Sequence, residues 1–145
     1  MILSIFGAFL AALGFGVIFN VHGKALIAAA IGGTIGYVCY ELQMMMGSTN
    51  IVSLFISSMI FSIFGEICAR KLKMPVTVFL IIALIILVPG KGMYYTMLEI
   101  IQGNSNQAML TGIDTFASAG ALALGTIFVS TFTKLLFKKR VNHTK

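Results

Sequence analysis

The residues best suited to bind a ligand follow a break in an apolar helix pattern at Pro89. Proline lacks a backbone N–H and its ring clashes with the preceding turn, so a helix cannot run through it undisturbed. The helix that restarts after the break presents unpaired N–H groups and a positive dipole end, which suit an anionic group. The first candidate site, for a substrate carboxylate, therefore comprises Pro89, Gly90, Lys91 and Tyr94.

Each of these residues also has a purely structural interpretation. The break could be a proline kink that serves packing alone, since proline and glycine are common in membrane helices. Lys91 could extend its ammonium to the outer interface of the membrane instead of binding substrate. Of Tyr94 and Tyr95, one could line the site while the other belongs to the belt of aromatic residues at the interface.

A second polar pattern consists of Ser58, Ser62, Glu66 and Arg70, which share one helix face at intervals of one turn. An ionisable group inside a membrane helix usually faces a cavity or a partner, because its burial in lipid is costly. The pattern could be the wall of a transport path, with Glu66 as a proton carrier or as the partner of an amine. Alternatively, Glu66 pairs with Arg70 at the interface and the serines bond to their own helix.

Two further polar residues lie near the ends of apolar segments. Asn20 ends the first segment, where it could line a cavity or cap the helix. Asp114 lies early in the last segment, where a negative charge suits a helix N-terminus, and we assign it no functional role. His22 and His143 are isolated, so we expect no metal site. Catalytic motifs are lacking, and we expect neither enzymatic activity nor a cofactor.

Composition identifies the surroundings of these residues. The chain is 59% hydrophobic and 10% charged, against about 25% charged residues in a soluble domain. Such a chain cannot cover a surface that faces water, so we predict an integral membrane protein in contact with lipid. The net charge of +6 does not indicate nucleic-acid binding, because the basic residues lie at the ends of apolar segments.

The apolar segments predict a single all-α domain, a bundle of five transmembrane helices whose fourth is broken at Pro89 and Gly90. The predicted spans are 2–19, 25–40, 51–69, 76–102 and 108–137, followed by a basic cytoplasmic tail at 138–145. Small residues recur at every fourth position in three of them and predict close helix packing. They are Ala8, Ala12 and Gly16; Ala28, Gly32 and Gly36; and Ala117, Ala121 and Gly125.

The distribution of basic residues predicts the orientation. With five crossings, the first turn, the turn Arg70–Pro75 and the C-terminus lie on one side of the membrane. That side holds every Lys and Arg except Lys91. By the positive-inside rule, the N-terminus is outside and the C-terminus is in the cytoplasm. We expect the plasma membrane to be the location.

Four stretches together resemble one known family. Gly14–Val21 is similar to a GFxxxFNV signature, and Gly65–Arg70 with Lys73–Phe79 to EIxAR and KxPxTxF segments. Val88–Met97 resembles a VPGxxxYxxM motif, and Ile101–Gly103 follows it as in that family. The order and spacing of these stretches resemble the small subunit of the threonine/serine exporter family.

The resemblance implies five transmembrane helices and a larger membrane subunit as partner. It also implies export of threonine and serine, or of a dicarboxylate such as succinate, driven by the proton gradient. This chain departs from the family pattern at Ile82 and Ile86, where prolines are common, so the first leg should be a more regular helix. Lys91 stands where a small residue is expected, so no family role is carried over to it.

The leading hypothesis is therefore the small subunit of a proton-coupled exporter of small carboxylate-bearing metabolites. The helix that begins at Gly90 would receive the carboxylate and Tyr94 would orient the substrate. Asn20 would help to line the path, and Glu66 would carry the proton. A non-transporting assembly subunit and a self-sufficient homo-oligomeric transporter are the alternatives.

Overall fold

The computed structural model describes residues 2–141, with side chains described for residues 2–135. This part of the chain is all-helical, as predicted. Its six helices are α1 (Ile2–Ile18), α2 (Lys24–Met45), α3 (Asn50–Leu72), α4 (Val76–Leu87), α5 (Gly90–Ile101) and α6 (Ser105–Val141). Helices α4 and α5 correspond to the two legs of the broken segment, so six helices stand where five spans were predicted.

Three helices of the described part are individually long and apolar enough to cross a membrane: α2, α3 and residues 105–135 of α6. Helices α4 and α5 meet the same criterion together, as a pair bent by 47°. Helix α1 is apolar but has only 17 residues, about 25 Å of helix against a hydrocarbon core of roughly 30 Å. The architecture is that of a multi-pass membrane protein, and the crossing by α1 stays a prediction.

Two helices extend beyond the spans predicted for them. Helix α2 continues to Met45, past the predicted end at Tyr40, because no glycine or proline lies between Tyr40 and Gly47, which has φ 82°. Helix α6 begins at Ser105 and reaches Val141. Residues 138–141 of the predicted basic tail are therefore helical, and residues 142–145 lie outside the described part of the chain.

The break between α4 and α5 follows from Pro89. Proline disfavours the helical conformation of the residue before it, and Val88 accordingly has φ −52° and ψ 133°. Pro89 itself is non-helical, with φ −73° and ψ 59°. A segment that returned to the same membrane face would need to turn well beyond a right angle. The 47° bend therefore favours a single broken crossing.

The packing directions agree with this topology. Helices α3 and α6 run parallel, because Asn50 bonds to Ser118 and the surface around Ser58 packs on Gly125 further along both helices. Helices α5 and α6 run antiparallel, with Gly92 against Thr115 and Glu99 farther along α5 bonded to Thr111. One crossing by α4 and α5 returns the chain to the side on which α3 begins, as parallel α3 and α6 require.

Small residues let the helices approach closely, as predicted for most of the three stripes. Ala8, Ala12 and Gly16 are all buried, as are Gly32, Gly36, Ala121 and Gly125, while Ala28 is partly buried. The prediction was wrong for Ala117, which is exposed. At Gly125, a Cβ atom would lie 2.7 Å from the Phe55 carbonyl oxygen and would contact the Ser58 hydroxyl. The α3–α6 interface therefore needs glycine at this position.

We predict that Gly125→Ala separates α3 from α6, because a backbone carbonyl cannot move aside as a flexible side chain can. Overpacking of this kind costs about 1–3 kcal/mol. Unfolding of the purified protein from detergent micelles by SDS titration measures the loss. Gly120→Ala is the matched control on the same helix, since a Cβ there meets nothing within 4 Å. Equal stability of the two variants would contradict the prediction.

Candidate functional site

A cavity of about 480 Å³ lies where the broken segment meets the other helices. It is bounded by the last turns of α2 and α4, the first residues of α3, helix α5 and the first half of α6. Its polar lining residues are Tyr37, Tyr40, Asn50, Lys91, Tyr95, Glu99, Thr111, Asp114, Thr115 and Ser118, and Pro89, Gly90 and Gly92 contribute backbone. The cavity therefore has both charged and hydroxyl-bearing walls.

The N-terminus of α5 gives the cavity a positive end. The N–H of Gly90 donates to the Val88 carbonyl at 2.7 Å, and the N–H of Met93 to the Pro89 carbonyl at 3.2 Å. The N–H groups of Lys91 and Gly92 have no acceptor within the helix, as in any first turn. The Lys91 ammonium lies 5.9 Å from the centroid of the Tyr95 ring. Backbone N–H groups and one cation thus converge on the same space.

Two acidic side chains also line the cavity. The Glu99 carboxylate accepts a hydrogen bond of 2.9 Å from the Thr111 hydroxyl, and Asp114 is exposed on α6. Sequence reasoning missed Glu99, although a signal was available. Lys91, Tyr95 and Glu99 follow one another at intervals of four residues and so share one face of α5.

A hydrogen-bonded chain forms the deeper wall of the cavity. The Tyr40 hydroxyl donates to Asn50 Oδ1 at 2.9 Å, and Asn50 Nδ2 donates to Ser118 Oγ, also at 2.9 Å. The chain joins α2, α3 and α6, and Ser118 is fully buried. No local pattern could have identified it, because Asn50 and Ser118 are 68 residues apart.

An apolar cluster closes the cavity on the side of the basic turn. Leu54 and Leu87 line the cavity and pack in one cluster with Phe61, Ala83 and Leu122. Leu54 and Leu122 each follow a member of the Asn50–Ser118 pair by one helical turn. The cluster therefore separates the cavity from the opposite half of the bundle.

Among the predicted site residues, Pro89, Gly90 and Lys91 line the cavity and Tyr94 does not. Tyr94 is 63% exposed, whereas the next residue, Tyr95, is a lining residue. Successive residues of an α-helix point about 100° apart, so only one of the two tyrosines faces the cavity. The position predicted for Tyr94 is occupied by Tyr95.

Asn20 lies away from the cavity and has the geometry of a helix cap. Its φ is 59°, its N–H donates to the Val17 carbonyl, and the N–H of Val21 donates to the Gly16 carbonyl. This pattern is typical of a left-handed C-terminal cap. It corresponds to the structural alternative for Asn20, not to a role in lining the cavity.

Glu66 also lies away from the cavity, near the opposite end of α3. It is buried, and its Oε2 atom lies 3.0 Å from Nη2 of Arg70. Asn50, at the cavity, is about 24 Å away along the helix axis at 1.5 Å per residue. The structure thus brings the residues of the break together, and it does not bring Asn20 or Glu66 to them.

The serines of α3 face the interior of the bundle. Ser58 and Ser62 are fully buried, and the Ser58 hydroxyl donates to the Phe55 carbonyl at 2.7 Å. Among the described residues, the Ser62 hydroxyl has no hydrogen-bond partner. Neither serine lines the cavity.

An all-helical chain with several apolar spans and a polar cavity at a broken helix has the architecture of a membrane transporter. A family model described as "Threonine/Serine exporter, ThrE" matches residues 4–132. The chain therefore belongs to the threonine/serine exporter family, as its motifs implied. This family consists of transporters, which agrees with the expectation that the chain is not an enzyme. No solved structure matches the chain.

The Tyr40–Asn50–Ser118 chain predicts a stability difference between two polar substitutions. Asn50→Ala removes both hydrogen bonds and leaves the hydroxyls of Tyr40 and Ser118 unpaired, at a cost of about 1 kcal/mol in a membrane helix bundle. Ser62→Ala removes no hydrogen bond within the described residues and should be neutral or stabilising. Thermal unfolding in detergent measures both effects. A larger loss from Ser62→Ala than from Asn50→Ala would contradict this account.

Proposed function

We propose that the chain is the small membrane subunit of a two-part, proton-coupled exporter of threonine and serine, and that the cavity is its substrate site. One observation carries the proposal: the N-terminus of α5 and the Lys91 side chain line the same cavity as the Glu99 carboxylate. A small zwitterion needs a site of this kind, with opposite charges at two ends.

In this proposal the substrate carboxylate binds at the start of α5. The free N–H groups of Lys91 and Gly92 donate hydrogen bonds to it, and the Lys91 ammonium adds a charge-assisted bond. A Cβ at Gly90 would meet nothing within 4 Å, so the space beside this residue is open. The Tyr95 ring, one helical turn after Lys91, packs against the substrate.

The same cavity disfavours the second candidate substrate, a dicarboxylate. The presence of Lys91 in the cavity supports a dicarboxylate exporter, because its ammonium could attract a second carboxylate. Glu99 and Asp114, however, give the cavity two carboxylates beside its single lysine. A dianion would face repulsion from both acidic residues, whereas the ammonium of an amino acid is attracted.

The proposed partner is the larger membrane subunit of the same family. Helix α5 has no buried residue and, among the described helices, packs only against α6. Its outer face carries Tyr94, Met97 and Ile101, all strongly exposed. A partner that packs along this face would help to enclose the substrate. In a homo-oligomeric transporter a second copy of the chain would pack along this face instead, whereas a non-transporting assembly subunit would leave the cavity without a role in transport.

The remaining parts of the proposal concern location and energy. We propose the plasma membrane, with the basic turn and the C-terminus in the cytoplasm, because these ends hold the excess of Lys and Arg. On this orientation, the cavity lies toward the outside and the apolar cluster of Leu54, Phe61, Ala83, Leu87 and Leu122 toward the cytoplasm. The proton-coupling role of Glu66 stays a prediction, and its distance from the cavity does not favour it.

Counterflow in proteoliposomes tests the proposed site. We expect labelled threonine, and not labelled succinate, to enter vesicles that contain the chain with its larger partner. Tyr95→Phe and Lys91→Gln should lower this uptake at least several-fold, because both residues line the cavity. Tyr94→Phe is the matched control and should transport normally.

Three results would contradict parts of this proposal. Uptake by the chain alone would remove the need for a partner. Uptake of succinate in preference to threonine would favour the dicarboxylate exporter. Normal transport by Tyr95→Phe and Lys91→Gln, in a complex of unchanged composition, would favour an assembly subunit.

Cysteine labelling tests the proposed orientation. In a variant in which serine replaces Cys39 and Cys68, single cysteines introduced at Asn104 and Lys73 report the turn between α5 and α6 and the basic turn. A membrane-impermeant maleimide added to intact cells should label Asn104→Cys and spare Lys73→Cys. The reverse pattern would invert the orientation, and labelling of both would contradict the single broken crossing.

A further inference from the structure

We infer that the Glu99 carboxylate binds the substrate ammonium and the coupling proton in turn, and so links export to proton entry. The inference rests on the proposed function, since it concerns the same cavity. It assigns the coupling role to a residue that the sequence motifs did not indicate. The position of Glu99 on α5 is the first reason for this assignment.

Glu99 is the acidic residue at one end of a helix face that has a lysine at its other end. Lys91, Tyr95 and Glu99 all line the cavity and follow one another by one helical turn each. The Cα atoms of Lys91 and Glu99 are therefore about 12 Å apart along the helix axis, at a rise of 1.5 Å per residue. This arrangement lets a small amino acid bind with its carboxylate toward Lys91 and its ammonium toward Glu99, because both long side chains line one cavity.

The surroundings of Glu99 leave its charge available. Its hydrogen bond comes from the neutral Thr111 hydroxyl, and no Lys or Arg nitrogen in the described part forms an ion pair with it. The other charged or titratable cavity groups are Asp114 on α6, Lys91 and Tyr95 on α5, and Tyr37 and Tyr40 on α2. Glu41 accepts a hydrogen bond of 2.7 Å from the Tyr37 hydroxyl, but it does not line the cavity.

A carboxylate in this position can hold one cation at a time. When ionised, it attracts the ammonium of the substrate. When protonated, it is neutral and no longer does so. A substrate that enters a site with protonated Glu99 therefore displaces that proton to the water of the cavity, and substrate release allows a proton to bind again. This mutual exclusion, applied on alternate sides of the membrane, exchanges substrate for protons.

Glu66 lacks the properties that such an exchange requires. Its carboxylate lies 3.0 Å from the Arg70 guanidinium, which already supplies a fixed cation. The apolar cluster that contains Leu54, Leu87 and Leu122 separates it from the cavity. A substrate at Lys91 and Glu99 would not compete with a proton on Glu66.

Proton release on substrate binding tests the inference. Threonine is added to the purified complex of this chain with its larger partner, in weak buffer with a pH-sensitive dye. The pH is lowered stepwise until threonine binding weakens, and in that range the wild type should release protons as threonine binds. Glu99→Gln should release none and should bind threonine at least tenfold more weakly, whereas Glu99→Asp should still release protons. The side-chain amide oxygen introduced by Glu99→Gln can still accept the hydrogen bond from Thr111, so the variant should assemble normally.

Two further variants make the test selective. Glu41→Gln is the matched control, because Glu41 does not line the cavity, and it should release protons as the wild type does. Glu66→Gln tests the competing residue and should also release protons. Release that persists in Glu99→Gln, or that is lost in Glu66→Gln alone, would overturn the inference.

Threonine counterflow separates this inference from the proposed function. Counterflow requires substrate binding and exchange but no net proton movement. A wild-type complex with threonine counterflow but without proton release on threonine binding would overturn only the role of Glu99. A complex that neither binds nor exchanges threonine would overturn the proposed function, and the inference with it.

Discussion

A proline in a membrane helix creates polar groups that lipid cannot satisfy, and the site depends on this constraint. Pro89 has no N–H to donate, and Val88 leaves the helical conformation before it. The first N–H groups of α5 therefore need partners in protein, water or a ligand. The fold surrounds them with a polar cavity of about 480 Å³. The same break that interrupts the helix thus provides donors for an anion.

Close contacts between helices fix the relative positions of the residues that line the cavity. Gly125 brings α6 against the backbone of α3, and Gly92 brings α5 against Thr115, with its Cβ position only 3.2 Å from that of Thr115. A larger residue at either position would move α6 relative to the helix that carries its facing groups. The Asn50–Ser118 hydrogen bond fixes the parallel pair of α3 and α6 at the deep wall. Packing therefore sets the distances on which binding depends.

Helix α5 carries a lysine near its start and a glutamate two turns later, so one helix provides charges of both signs. In the proposed function, the helix N-terminus and Lys91 attract a carboxylate, while Glu99, two turns on, attracts an ammonium. The apolar cluster beneath them keeps the cavity distinct from the half of the bundle that contains Glu66 and Arg70. Movement of that cluster would be needed to expose the substrate to the other side, as alternating access requires.

The sequence by itself determined the membrane class, the all-helical fold, the break at Pro89 and the family, because these depend on composition, local periodicity and short motifs. It also identified Lys91 as a candidate. Only the tertiary structure decided between Tyr94 and Tyr95, since that choice depends on which face of α5 meets the cavity. The Asn50–Ser118 contact and the hydrogen bond from Thr111 to Glu99 likewise arise when different helices pack together. Glu66 has a similar local pattern of polar neighbours, yet packing places it at the other end of the bundle.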